Sequence, residues 1–138
     1  MKKMLHPYCS KAAHNIALLI LRVCLGVIMA FGHGYQKLTH FNEIASNGFH
    51  DFLGLGSQIS LGLATFAEFF CAIFIILGLF TRYAVIPLII LFLVIVVKVH
   101  GLDIFDTAEK PFVLLAGYVA ILFLGPGKIS IDGLISRR

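Results

Sequence analysis

Charge is what this chain has least of. Only 13% of its 138 residues are Asp, Glu, Lys or Arg, where soluble domains carry roughly 25%. The apolar fraction is 59%, above the roughly 45–50% of soluble chains. A soluble domain this small has too much surface to hide that much apolar side chain. Lipid removes the difficulty by solvating the outer faces of helices. No GxGxxG follows a strand, and there is no P-loop and no nucleophile elbow, so nothing points to those nucleotide or acyl-transfer chemistries. Cys9, Cys24 and Cys71 form no CxxC pair, and their odd number argues against a disulfide framework. Cys24 and Cys71 fall at similar depth on successive spans and read as packing residues rather than a redox pair. No internal repeat is present, which leaves an inverted-repeat transporter made of one chain without support.

Long apolar runs are what the chain does have. A membrane span needs about 20 mostly apolar residues, and four stretches qualify, at about 14–38, 57–79, 83–100 and 111–125. The expectation is an all-α membrane protein, with one domain over residues 1–138 forming a four-transmembrane-helix bundle. The fourth span is short, so tilting or local thinning of the bilayer is expected. Pro87, early in the third, is a candidate kink. The first span holds Arg22, lacks a small-x-small cleavage site and is long enough to cross, so it reads as a span rather than a cleaved signal peptide.

The net charge of +4 does not indicate nucleic acid, because the basic residues sit at the ends of apolar runs. Lys2, Lys3, Lys11, Arg82, Lys128, Arg137 and Arg138 collect on one side. The other side holds Lys37, Lys98 and Lys110 with Glu43, Asp51, Asp103, Asp106 and Glu109. The positive-inside rule puts the first group, and hence both the N- and C-termini, in the cytoplasm. In the first outer loop Asn42 is placed to cap a short surface helix carrying Ile44, Phe49, Phe52 and Leu53.

Polar residues inside the spans carry the functional signal. Arg22, Gly26, Ala30, His33 and Lys37 recur at steps of three and four and share a helix face. Gln58, Thr65, Glu68 and Ala72 do the same on the second span. Stripes of small and polar residues suit a helix–helix interface in lipid. Arg22 and Glu68 fall at similar depth, roughly 12 and 16 Å in from the same side at about 1.5 Å per residue. An intramembrane charge left alone costs about 2.5–3.5 kcal/mol on insertion scales. Either an Arg22–Glu68 ion pair or a protonated Glu68 is therefore expected. That pair serves as a structural bridge or as part of a ligand or proton site. His33, Lys37, Glu68, Lys98 and His100 converge on one outward-opening pocket, the candidate ligand site. Snorkelling to the headgroups is the plainer account of Lys37 and Lys98. His33, His40, His50 and His100 gather on the outer side at spacings that match no metal motif, so no metal is assigned.

These residues also carry a family resemblance. Leu21-Arg22 with Gly26, and Phe31-Gly32-His33-Gly34-Tyr35-Gln36-Lys37-Leu38, resemble the first span of the DoxX family of small membrane proteins, with its H-G-x-x-K. Ala67-Glu68 leading to Leu77-Gly78-Leu79-Phe80-Thr81-Arg82 is similar to the family's A-E…L-G-L-x-T-R. The tail Gly125-Pro126-Gly127-Lys128-Ile129-Ser130-Ile131-Asp132 is similar to its G-P-G-(basic)-x-S-x-D. The resemblance covers about 21–135 and implies a four-helix bundle in the bacterial cytoplasmic (inner) membrane. It implies Arg22, His33, Lys37, Glu68 and Arg82 as motif positions. It also implies a link, through some members, to quinone-dependent sulfur oxidation.

Three functions stay open. The first is the membrane subunit or accessory of a redox system, binding quinone, lacking a cofactor motif of its own and needing a soluble or membrane redox partner. The second is a small transporter, oligomerised to line a path, with Arg22 and Glu68 as a coupled gate. The third is a membrane scaffold or chaperone with a purely structural polar stripe.

Overall fold

The computed structural model describes residues 10–137; Lys2, Lys3, Cys9 and Arg138 lie outside the described residues. Four longer helices dominate: α1 (Lys11–Thr39), α3 (Ser57–Leu77), α4 (Thr81–Val99) and α5 (Glu109–Leu124). Two short ones, α2 (Phe41–Ser46) and α6 (Ile131–Ile135), lie outside them in sequence. Among the described residues there is no strand. Three helices, α1, α3 and α4, are long and apolar enough to cross a membrane. At 16 residues α5 is shorter. Helix α1 has 29 residues, which at about 1.5 Å each is longer than a hydrocarbon core of about 30 Å requires. It therefore tilts or projects beyond the bilayer.

Local chemistry explains the boundaries. Ser10 caps α1, its Oγ accepting from Ala13 N at 3.1 Å. Gly78 closes α3 at φ +70°, with Gly78 N donating to Ile75 O and Leu79 N to Phe74 O, the paired bonds of a Schellman stop. Pro87 does not interrupt the α-helical part of α4, which runs through it. The short surface helix differs from expectation. His40, not Asn42, stands at its N-cap, with no side-chain cap bond. Gly48, at φ +83°, stops the helix before Phe49, Phe52 and Leu53. Those residues sit instead in a loop organised by Asp51, whose carboxylate accepts from Ser60 Oγ, Gly56 N and Leu55 N. The Ser60 hydroxyl, then these amides, hold the Asp51 carboxyl below its usual range.

Helix α1 packs against α3 and α5, and α4 packs against α3 and α5, closing a bundle. Its interior includes Met29, Ala67, Ile75, Val85, Leu88 and Tyr118. The Tyr118 hydroxyl donates to Leu25 O at 3.1 Å, and its ring stacks on Phe92 at 5.8 Å. The outward faces are apolar too: Ile20, Phe31, Phe66, Ile90 and Val113 are all exposed, and Phe123 is 78% exposed. A surface of that kind is stable only against lipid. The thiols of Cys24 (exposed) and Cys71 (buried) are free.

Three spans contain a widened π-helical segment: Ala30–Gly34 in α1, Phe66–Cys71 in α3 and Ile95–Val99 in α4. Such segments are rare and frequent at functional sites. Each shifts the side-chain register. The stripe expected on α1 assumed regular steps through His33. Within the π segment the residue buried against α3 is Gly34, while His33 is exposed. A Cβ on Gly34 would lie 2.6 Å from the backbone of Glu68 and Phe69. Gly34→Ala is accordingly expected to cost about 1–3 kcal/mol by overpacking, read as a lowered thermal midpoint in detergent. A wild-type midpoint would mean that α1 and α3 do not approach this closely.

Candidate functional site

Gly34 brings α1 close to α3 at the depth of Glu68, and the next turn of α1 delivers Lys37. Its Nζ lies 2.6 and 2.5 Å from Oε1 and Oε2 of Glu68. The carboxylate is nearly enclosed, at 4% exposure, and the lysine is 22% exposed. Two of the three ammonium N–H groups are thereby used, and one remains for another acceptor. The Phe49 ring, from the loop, sits 5.6 Å from Nζ and adds a cation–π contact.

This geometry corrects the expected Arg22–Glu68 pair. Arg22, 1% exposed, donates through Nη2 to Ile129 O in the tail after α5. The reason is depth. Gly26 packs against Ala72 and Ile76, and Gly34 against Glu68, so the similar depth expected for Arg22 and Glu68 does not hold. Arg22 lies about 18 Å along α1 from the level of Glu68, at about 1.5 Å per residue, and reaches Gly78 and the tail instead. Side chains on a helix lean toward its N-terminus, which brings Lys37, just beyond Gly34, back onto Glu68.

The pair forms part of the wall of a cavity of about 700 Å3 bounded by α1, α4 and α5. Of the five candidate residues, His33, Lys37, Glu68 and His100 line it. Lys98 does not; its Nζ donates to Phe52 O at 3.2 Å and ties the loop to α4. The rest of the wall is largely apolar, including Ile28, Met29, Phe92, Ile95 and Leu114. Thr107, Glu109 and Lys110 complete the lining. The sequence marked Glu109 and Lys110 only as loop charges bearing on orientation, since nothing in their spacing shows that α5 begins over the cavity. Among the described residues no three His, Cys, Asp or Glu side chains gather to hold a metal ion.

A second polar cluster lies at the other end of the bundle. Asp132 accepts from Phe80 N and Thr81 N at 2.9 Å and from Thr81 Oγ1 at 3.0 Å. Asp132 N returns a bond to Gly78 O. Gly125 packs beside the Arg82 guanidinium. The turn 77–82 and the tail 125–132, far apart in sequence, thus form one clasp, into which Arg22 reaches from α1.

The DoxX family model matches residues 17–101, more than half of the chain. The chain belongs to the DoxX family. The five positions expected from the resemblance (Arg22, His33, Lys37, Glu68 and Arg82) lie within the matched stretch, which ends before α5 and the tail. The chain is also 24% identical over 143 residues to an uncharacterized membrane protein of Mycobacterium tuberculosis, an alignment covering 88% of this chain and 83% of that protein. No solved structure matches it. With apolar outer faces on its spans, this DoxX protein is an integral membrane protein.

Proposed function

We propose that this chain is the ligand-binding membrane subunit of a redox system, and that its pocket takes the headgroup of a quinone. The observation that carries the reading is the Lys37–Glu68 pair set in the wall of a largely apolar cavity. A quinone offers carbonyl oxygens on an apolar ring and tail. The remaining Lys37 N–H and the His33 ring are donors within that cavity, and Ile28, Met29 and Phe92 suit the apolar part. Glu68, already hydrogen-bonded to the ammonium, is the group through which a proton would reach or leave a reduced oxygen. Electrons would come from a soluble or membrane partner, because the chain has no redox motif of its own.

The reading includes four spans in a bacterial inner membrane, with both termini cytoplasmic. The grouping of Lys11, Lys128 and Arg137 at one end supports that orientation, as does a fourth helix packed against α1 and α4. A gate coupled through Arg22 and Glu68 has no contact to support it. The test is the quinone content of an organic extract of protein purified in mild detergent. Near-stoichiometric quinone, lost in His33→Ala and Lys37→Ala, is the expected result. An empty extract, with no binding when quinone is added back, would refute the redox reading and leave scaffolding as the better account.

A further inference from the structure

The end of the bundle remote from the Lys37–Glu68 pair carries a second cavity, of about 750 Å3, which the redox reading does not use. Lys11 and His14 from the start of α1, Lys128 from the tail and Arg137 beyond α6 line it. Within 4.0 Å the sole ion pair among the described residues is Lys37–Glu68, so Lys11, Lys128 and Arg137 have no carboxylate partner there. The cavity's single acid, Asp132, already receives three hydrogen bonds from Phe80 and Thr81. Asn15 Oδ1 is likewise occupied, by Lys128 N at 2.9 Å. Three cations thus share a recess whose acceptors are engaged elsewhere, an arrangement that lacks an anion.

Position identifies the class of anion. The cavity lies where α1 begins and just beyond where α5 ends, at the boundary between apolar helix and polar chain. Beside it stand Leu134 and Ile135, each 61% exposed, and Ile129 at 47%. A small soluble anion has no use for such an apolar collar, whereas a lipid has acyl chains to lay against it. We propose that this cavity binds the phosphodiester headgroup of an anionic phospholipid, held by Lys11, Lys128 and Arg137 with its chains along the exposed face of α6.

The test uses the full chain, stripped of lipid in an uncharged maltoside detergent. Its thermal midpoint is followed while dihexanoyl-phosphatidylglycerol is added, with dihexanoyl-phosphatidylcholine and inorganic phosphate as separate probes. Phosphatidylglycerol is expected to raise the midpoint saturably, and the other two are not. Lys11→Ala and Lys128→Ala should each weaken the apparent affinity about fivefold, the effect of one basic residue at an anionic surface. Lys128→Arg should keep it, and Lys98→Ala, at the opposite end, should leave it unchanged. Equal stabilisation by phosphatidylcholine would overturn the proposal. So would a loss in Lys98→Ala as large as in Lys128→Ala, which would mean diffuse attraction to charge. Saturation by inorganic phosphate would assign the recess to a soluble anion instead.

Discussion

Replacing Lys37 with Met is expected to lower the stability of the bundle by about 3–5 kcal/mol, the usual cost of leaving one partner of a buried pair alone. Glu68 is 4% exposed and its two oxygens have no other hydrogen-bond donor among the described residues, so the carboxylate would stand unpaired in the wall of the cavity. Replacing Glu68 with Leu should cost less, because Lys37 is 22% exposed and its flexible stem lets the ammonium move toward the headgroups. The double variant Lys37→Met/Glu68→Leu removes both charges and should recover most of the loss, since well-packed apolar residues often replace buried pairs without penalty. Denaturant midpoints of the four proteins give the coupling directly. The double variant also separates structure from function. It is expected to fold and to retain no quinone. If it holds quinone as the unmodified chain does, the pair is only a bridge between α1 and α3 and the proposed chemistry fails.

The contrast between Arg22 and Lys37 shows what the sequence could and could not convey. The helices were legible because length and apolar content alone decide whether a segment can span. The stripes on α1 and α3 were legible because a polar residue in lipid must face protein. The pairing within the stripes was not. It depends on how far α1 is slid along α3, which sets Gly34 rather than Arg22 level with Glu68, and on the π segments at Ala30–Gly34 and Phe66–Cys71. Those segments shift the register by amounts that hydropathy does not encode. Residues brought in by loops were equally hidden. Phe49 reaches Lys37 only because Gly48 stops α2 early and Asp51 folds the chain back onto Ser60. Lys98 shared the end and the charge of the pocket residues, yet it is committed to the Phe52 carbonyl.

Gly78→Ala is expected to be about as damaging as loss of Lys37, although it adds one methyl group and touches no part of the pocket. At φ +70° an alanine pays about 1–2 kcal/mol for the left-handed backbone. Its Cβ would overlap Arg22 Nη1 and Ser130 Cβ, and neither has room to retreat. Arg22 is buried and bonded to Ile129 O. Ser130 Oγ donates to Gly127 O and accepts from Gly133 N, which fixes the tail's turn. Overpacking at such a site adds about 1–3 kcal/mol, for a total of about 2–5 kcal/mol. Asp132→Asn keeps the shape of the clasp but weakens the acceptor for Phe80 N and Thr81 N, and should cost less, about 1.5–3 kcal/mol. Amide hydrogen exchange distinguishes local from general damage. In Asp132→Asn, faster exchange should be confined to the turn 77–82 and the tail 125–137. In Gly78→Ala it should extend into α1 around Arg22, because the guanidinium loses its seat. Unchanged exchange in Gly78→Ala would mean that the tail does not close over Arg22.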